Sequence, residues 1–140
     1  MSKNELYTLG IDIGSTTVKI AILDKDNDVA FSDYERHYAN IQETLSDLLG
    51  RAIYKLGGIY ASPVITGSGG LTLASHLKVP FVQEVVATTR AVRGAYPDAD
   101  AVVELGGEDA KVIYLTGGLE QRMIASCAGG TGAPGSAEPR

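Results

Sequence analysis

Cysteine is almost absent from the sequence, and long apolar runs are missing. Cys127 is the only cysteine among 140 residues. No disulfide can therefore form within one chain, and a reducing compartment is the simpler expectation. No apolar stretch approaches the ~20 residues that span a bilayer, and residues 1–5 lack the apolar core of a signal peptide. We therefore expect a soluble, cytoplasmic protein without a membrane partner.

Positive charge is also scarce. The 12 Lys and Arg residues are outnumbered by 17 Asp and Glu residues, the formal net charge is −5, and no basic run occurs. Because binding to a nucleic-acid backbone relies on clustered Lys and Arg, we expect no nucleic-acid partner. The length and the 44% hydrophobic content suffice for one compact core but are short for two complete domains.

Glycine, in contrast, is plentiful and clustered. Glycine permits backbone conformations that other residues avoid, so a cluster indicates a tight turn or close approach of the backbone to a ligand. The 17 glycines include three such groups: Gly67, Gly69 and Gly70; Gly106 and Gly107; and Gly129, Gly130 and Gly132.

Apolar periodicity predicts the elements of the first half of the chain. Strands are predicted at 6–13, 17–23 and 29–34, and the short polar connections between them predict three consecutive antiparallel strands. Asn40 is suited to cap a helix whose apolar residues recur at three- and four-residue spacing from Ile41 to Leu56.

Strands and helices alternate in the next part of the sequence. A strand at 63–66 leads through the glycine-rich segment 67–70 into a helix near 71–77, and a strand at 79–83 precedes a helix at 86–95. We interpret 67–70 as a strand-to-helix connector; the alternative is a further phosphate-side turn. This order predicts an α/β fold, with a mixed sheet in which three antiparallel strands are followed by parallel strands and helices.

The opening pattern recurs about 92 residues later. A strand at 101–103, the acidic Glu104, a glycine turn and a returning strand at 112–115 repeat the order of features around Asp12, and a further strand is predicted near 121–125.

The repeat divides the chain. We assign 1–98 to a first domain, 99–133 to the opening strands of a truncated second domain, and 134–140 to a disordered tail of small and polar residues. On this interpretation the chain is the N-terminal piece of a longer protein.

Asp12 is the first candidate for a chemical role. It ends a predicted buried strand just before the turn Gly14-Ser15-Thr16-Thr17. The backbone N–H groups of such a turn, with the hydroxyls, can bind phosphate oxygens, and the carboxylate can hold Mg²⁺ through water. Lys19 would reach back from the second strand. The alternative is an ordinary β-hairpin with a polar turn.

Two segments resemble the phosphate loops of the actin, Hsp70-chaperone and sugar-kinase superfamily. Asp12 to Lys19 is similar to the first loop, Asp-x-Gly-Ser/Thr with a later Lys, and Glu104-Leu105-Gly106-Gly107 is similar to the second, with Glu104 in place of Asp. The resemblance implies a ribonuclease H-like, actin-type ATPase domain. It also implies that ATP or ADP with Mg²⁺ is bound by Asp12 (through water), Gly14, Ser15, Thr16, Thr17, Lys19, Glu104, Gly106 and Gly107.

The same resemblance gives roles to two further carboxylates. Glu84, at the start of an Ala-containing helix, would orient the water that attacks the γ-phosphate. Asp109 would share with Glu104 the role of binding the metal ion. Glu84 and Asp109 form the implied catalytic set together with Asp12. The alternative for Glu84 is a helix-terminal carboxylate stabilised by the helix dipole.

The segment Cys127-Ala128-Gly129-Gly130-Thr131-Gly132 narrows the resemblance. It is similar to the activators of 2-hydroxyacyl-CoA dehydratases and the benzoyl-CoA reductase ATPase subunits, the BadF/BadG/BcrA/BcrD type. The resemblance implies a homodimer that couples ATP hydrolysis to electron transfer from a [4Fe-4S] cluster onto a dehydratase component. Cys127 would be a cluster ligand, yet two copies supply two of four thiolates. The alternative is a small buried hydrophobe.

Two other functions stay open. A small-molecule kinase for a sugar or an acyl group would share the fold, and a non-catalytic module would use the sheet for dimerisation or docking. We expect the isolated chain to have weak or no ATPase activity, because catalysis in this architecture resembles a clamp closing between two domains. His37 and His76 are interpreted as solvated or capping side chains.

Overall fold

The computed structural model describes residues 5–105, 110–116 and 120–124. The elements in these ranges are β1 (Leu6–Ile13), β2 (Thr17–Leu23), β3 (Val29–Arg36), α1 (Ile41–Leu56), β4 (Tyr60–Thr66), α2 (Gly70–Leu77), α3 (Glu84–Ala95), β5 (Ala101–Leu105), β6 (Ala110–Tyr114) and β7 (Glu120–Ile124). Within them, no helix combines the length and the apolar character needed to cross a membrane.

The chain divides into two compact units between Ala87 and Thr88. The domain boundary at residue 98 stays a prediction. The tail at 134–140 lies outside the described residues.

The first unit contains a four-stranded sheet in the order β3-β2-β1-β4. β2 is antiparallel to both β1 and β3, whereas β1 and β4 are parallel, so the predicted mixed sheet is confirmed. The turn between β2 and β3 is held by Asp24, whose Oδ1 accepts hydrogen bonds from the amides of Asp26 and Asp28 at 2.9 and 3.0 Å. Asn27 there has a φ of 66°, which asparagine tolerates well.

The predicted strand at 79–83 is reduced to a single parallel bridge between Phe81 and Ile65. The amide of Ile65 donates to the carbonyl of Pro80, and the amide of Val82 donates to the carbonyl of Ile65, both at 2.9 Å. Pro80 itself has no amide hydrogen, and α3 begins at Glu84, so the segment is too short for a longer ladder.

One hydrophobic core lies on one face of the first sheet. α1 packs against β2 and β3, and α2 packs against β4. Inward-facing residues alternate along the strands and recur at helical spacing in α1, as the sequence pattern predicts. The buried members of this core are Ile11, Ile13, Val18, Ile20, Ile22, Phe31, Leu45, Leu48, Ala52, Ile65 and Ala74.

The start of α1 agrees with the prediction in position but not in detail. Asn40 occupies the N-cap position, yet its side chain makes no capping hydrogen bond. The side-chain Nδ2 of Asn40 donates instead to the Glu43 carboxylate, and the Thr44 hydroxyl donates to the Asn40 backbone carbonyl at 2.8 Å.

The second unit contains an antiparallel sheet in the order β5-β6-β7. Arg93 of α3 donates to the carbonyl of Leu115 at 2.8 Å, and the amide of Leu115 donates to the carbonyl of Asp100 at 2.8 Å. Ile113 and Leu115 are buried. The strands predicted at 101–103, 112–115 and near 121–125 are therefore present, with small shifts of their ends.

The register of the two hairpins bears out the repeated pattern. Asp12 lies directly opposite Lys19 across β1 and β2, and Glu104 lies directly opposite Lys111 across β5 and β6. Each hairpin thus places one acidic residue across from one lysine.

Candidate functional site

Asp12 lies at the carboxyl end of β1, between two neighbouring strands. The strand register pairs it with Lys19 on β2 and with Thr66 on β4, so the three side chains share one face of the sheet. Lys19 Nζ lies 3.5 Å from Asp12 Oδ2, and the two side chains are 56% and 33% exposed. An ion pair this open to water adds little stability to the fold.

The other oxygen of Asp12 has no hydrogen-bond partner among residues 5–105, 110–116 and 120–124. Oδ1 is buried without a hydrogen bond in the part of the chain that is described, and the same is true of Thr66 Oγ1. Buried polar atoms in folded proteins are nearly always paired with protein, water or an ion. Mg²⁺ takes oxygen ligands and keeps several of its waters, so a carboxylate beside a hydroxyl suits a hydrated Mg²⁺ ion.

The turn after Asp12 offers unused donors. The amide of Gly14 donates to the carbonyl of Thr17 at 2.9 Å and closes the hairpin, whereas the amides of Ser15 and Thr16 donate to no acceptor among the described residues. The hydroxyls of Ser15 and Thr16 lie 3.5 Å apart. Adjacent amides and hydroxyls of this kind make a concave anion site.

Packing among the described residues does not require glycine at position 14. A Cβ built at Gly14 would come no closer than 3.5 Å to other described residues, and the φ of Gly14 is not in the left-handed region. The fold itself would therefore accept alanine. Glycine at this position leaves the backbone of the turn open to close approach by a ligand.

The glycine-rich connector Gly67–Gly70 forms a second wall beside Asp12. Gly67 has a φ of 96°, and a Cβ there would lie 2.3 Å from the Ile13 carbonyl oxygen and 2.6 Å from Asp12 Oδ1. The amide of Gly69 donates to the same Ile13 carbonyl at 2.9 Å. The segment is the predicted strand-to-helix connector, and it also packs directly on the strand that carries Asp12.

His37 is buried rather than solvated, with 8% of its surface exposed. Its ring contacts the turn after Asp12, because Nε2 lies 3.1 Å from the Gly14 carbonyl oxygen. His76 is exposed, as expected. Sequence reasoning missed His37 and Thr66; the position of Thr66 at the end of a strand parallel to β1 was the only available signal.

The remaining predicted site residues are distributed as follows. Glu84 begins α3, immediately after the segment that bridges to β4. Glu104 lies on β5 in the second unit, and its Oε2 is buried without a hydrogen-bond partner among the described residues. Gly106, Gly107, Asp109 and Cys127 lie outside the described residues.

A separate charged cluster joins α1 to β3. The guanidinium of Arg51 donates to the Asp33 carboxylate at 2.8 Å and also to Glu35. The hydrogen bond from Arg51 and the amide of Tyr34 lower the pKa of the Asp33 carboxyl, and the bonds to Asp33 and Glu35 raise the pKa of Arg51. Across the described ranges, no three His, Cys, Asp or Glu residues form a metal-ligand cluster.

Several known proteins are similar to this chain. A 2-hydroxyisocaproyl-CoA dehydratase activator of Clostridioides difficile is 31% identical over 91% of the chain and 49% of its own length. An activator of lactoyl-CoA dehydratase of Anaerotignum propionicum is 30% identical over 91% of the chain and 50% of its own length. The chain thus spans about half the length of the curated relatives it matches.

Solved structures agree with this similarity. The activator of the 2-hydroxyisocaproyl-CoA dehydratase from Clostridium difficile, with bound ADPNP, superposes with a TM-score of 0.71 at 28% identity, covering 87% of this chain and 47% of that one. Component A of the (R)-2-hydroxyglutaryl-CoA dehydratase of Acidaminococcus fermentans superposes with a TM-score of 0.74, covering 88% and 49%; at 23% identity it supports the fold alone. The expected actin-type ATPase fold is confirmed.

The family model for the BadF/BadG/BcrA/BcrD ATPases matches residues 9–134, a range that includes both acid-lysine hairpins and nearly the whole chain. The chain therefore belongs to the BadF/BadG/BcrA/BcrD ATPase family.

Proposed function

We propose that this chain is the ATP-binding module of an activator of a 2-hydroxyacyl-CoA dehydratase. The observation that carries the proposal is the unpartnered Asp12 Oδ1, which lies beside a turn whose Ser15 and Thr16 amides have no acceptor in the described structure. A nucleotide-bound relative of the same fold supports it.

Each residue of the first hairpin would have a distinct task. The Ser15 and Thr16 amides and hydroxyls, with Thr17, would bind phosphate oxygens, and Gly14 would leave room for them. Lys19, held 3.5 Å from Asp12, would place a positive charge beside the phosphates.

Asp12 and Thr66 would hold Mg²⁺ through its waters. Bound there, the ion would neutralise charge on the phosphate oxygens during transfer.

The second hairpin would supply a second phosphate loop. Glu104, Gly106, Gly107 and Asp109 would form this loop. The Oε2 of Glu104, which is buried and has no hydrogen-bond partner among the described residues, is compatible with that role. Glu84 would orient the water that attacks the γ-phosphate, a positioning role typical of phosphoryl transfer. The division at residue 98 would separate the two nucleotide-binding domains.

The activator role would add a dehydratase component as partner. In the homodimer that we propose, ATP hydrolysis would be coupled to transfer of a low-potential electron from a [4Fe-4S] cluster onto that component. Such a cluster takes four thiolates, and this chain has one cysteine, Cys127. Two copies of the chain therefore do not fit a complete cluster, and Cys127 is at most one of its ligands in each copy.

The first test is binding of Mg·ADP and Mg·ATP to this chain, followed by thermal unfolding. Nucleotide at ~100 times its dissociation constant should add about 2.7 kcal/mol to the free energy of unfolding, which raises Tm by several degrees. Asp12→Ala should abolish the shift, because it removes the carboxylate that holds the ion.

The outcomes separate the alternatives. No shift in the wild-type chain, or an equal shift in Asp12→Ala, would contradict nucleotide binding at this hairpin. Phosphate transfer to an added sugar would favour the small-molecule kinase. ATP-dependent reduction of an added 2-hydroxyacyl-CoA dehydratase component would favour the activator.

A further inference from the structure

His37 makes two hydrogen bonds to the turn that follows Asp12. Its backbone amide donates to the Thr16 carbonyl at 3.1 Å, and its Nε2 lies 3.1 Å from the Gly14 carbonyl oxygen. On the other side of the ring, the amide of Ala39 donates to Nδ1 at 3.0 Å. One buried residue therefore holds two carbonyl groups of the same four-residue turn.

These contacts fix the protonation of the imidazole. The Ala39 amide can only donate, so Nδ1 must be the acceptor nitrogen. The Gly14 carbonyl can only accept, so Nε2 must carry the proton. The two contacts together require the tautomer of His37 with the hydrogen on Nε2, pointed at the turn.

The backbone next to His37 is strained. Tyr38 and Ala39 have φ values of 44° and 66°, a region that residues with a Cβ seldom adopt. This strain persists only where surrounding contacts impose it, and it often marks functional sites. Here it brings the Ala39 amide back onto the ring of His37, while the guanidinium of Arg36 lies 5.6 Å from the centre of the Tyr38 ring.

The consequence for the turn follows from peptide geometry. In a trans peptide the carbonyl of one residue and the amide of the next point in opposite directions. Drawing the Gly14 and Thr16 carbonyls toward His37 therefore turns the Ser15 and Thr17 amides away from it. The Ser15 amide has no acceptor among the described residues, so it is available to an anion.

The geometry points to His37 as a positioning residue that holds the Gly14–Thr17 turn in its phosphate-binding shape from behind. His37 does not touch the nucleotide in this role and acts through the turn. The inference rests on the proposed function in one respect, namely that the ligand of the turn is a nucleotide phosphate.

The test compares His37→Ala and His37→Gln with the wild-type chain. His37→Ala removes the bond to the Gly14 carbonyl, so the Kd for Mg·ADP measured by calorimetry should rise about tenfold or more. The carboxamide of His37→Gln can still donate to that carbonyl, so its Kd should stay within about threefold of wild type. His76→Ala is the matched control, because His76 is an exposed histidine on α2, and its Kd should not change.

A nitrogen-15 spectrum of the wild-type imidazole gives a second readout that needs no variant and no ligand. It should show the proton of His37 on Nε2. A proton on Nδ1 would overturn the inference even if His37→Ala failed to fold. A folded His37→Ala chain that binds Mg·ADP as tightly as wild type would overturn it too, while leaving the proposed function intact. Absence of Mg·ADP binding by the wild-type chain would overturn both.

Discussion

Gly14 and Gly67 both flank Asp12, but their surroundings differ. A Cβ at Gly67 would lie 2.3 Å from a backbone oxygen at a φ of 96°, whereas a Cβ at Gly14 would meet nothing closer than 3.5 Å. We expect Gly67→Ala to lower the free energy of unfolding by at least roughly 1–3 kcal/mol from backbone strain alone. We expect Gly14→Ala to change it by less than about 1 kcal/mol while raising the Kd for Mg·ADP about tenfold, or about 1.4 kcal/mol.

Urea unfolding and calorimetry of the two variants separate these effects. Gly58→Ala is the control, since a Cβ there meets nothing within 4 Å and its φ is not in the left-handed region. Equal loss of stability in Gly14→Ala and Gly67→Ala would show that both glycines serve the fold. Unchanged nucleotide affinity in Gly14→Ala would contradict the close approach of a ligand to the turn.

At the scale of elements, Arg51 ties α1 to β3. Its hydrogen bond is the main cause that lowers the pKa of Asp33 in the folded chain. A lowered folded pKa gives stability that is present above the unfolded pKa and is lost as pH falls through the folded pKa. Arg51→Gln should therefore raise the Asp33 pKa, measured by NMR titration of its carboxyl group, and reduce the loss of stability in acid.

The expected effect on overall stability is small, because the Arg51 and Asp33 side chains are 46% and 33% exposed. Lys25→Gln is the control, since Lys25 contacts Asp26 in a different turn. An Asp33 pKa that does not move in Arg51→Gln would show that the amide of Tyr34, the second cause, accounts for the lowering.

Most helices and strands could be predicted because the sequence signal for each lies within the element itself. Alternation predicted β1 to β3, three- and four-residue spacing predicted α1, and the repeated acid and glycine turn predicted the hairpin of β5 and β6. The misses depend on contacts between distant segments. Residues 79–83 do not form a full strand, because the extent of pairing beside β4 is set by Pro80 and by the start of α3.

The candidate site also combines residues that lie close together in the sequence with residues brought together by distant contacts. That Asp12, Lys19 and the turn between them lie together could be predicted from sequence, since they fall within eight residues. Thr66 and His37 could not, because Thr66 reaches Asp12 through parallel pairing of β4, and His37 reaches Gly14 across 23 residues through a backbone with unusual φ values.

At the scale of the whole molecule, each unit has its own buried apolar residues. The core of the first unit draws on residues 11–74, whereas Ile113 and Leu115 are buried in the second. Leu48 is completely buried, so Leu48→Ala should lower the free energy of unfolding of the first unit by about 2–5 kcal/mol. If the units open separately, this loss should not reach the second sheet.

Hydrogen exchange of the full chain, followed by mass spectrometry, tests whether the two units unfold separately. Leu48→Ala should speed exchange of the amides in β1, β2 and β4, which pack on the same core, and leave the rates in β6 unchanged. Tyr54→Ala on the same helix is the control, because Tyr54 is 93% exposed and should alter neither set. Faster exchange in β6 by the same free energy would mean that one cooperative transition unfolds both units. The hairpin of β5 and β6 would then depend on the core of the first unit for its stability.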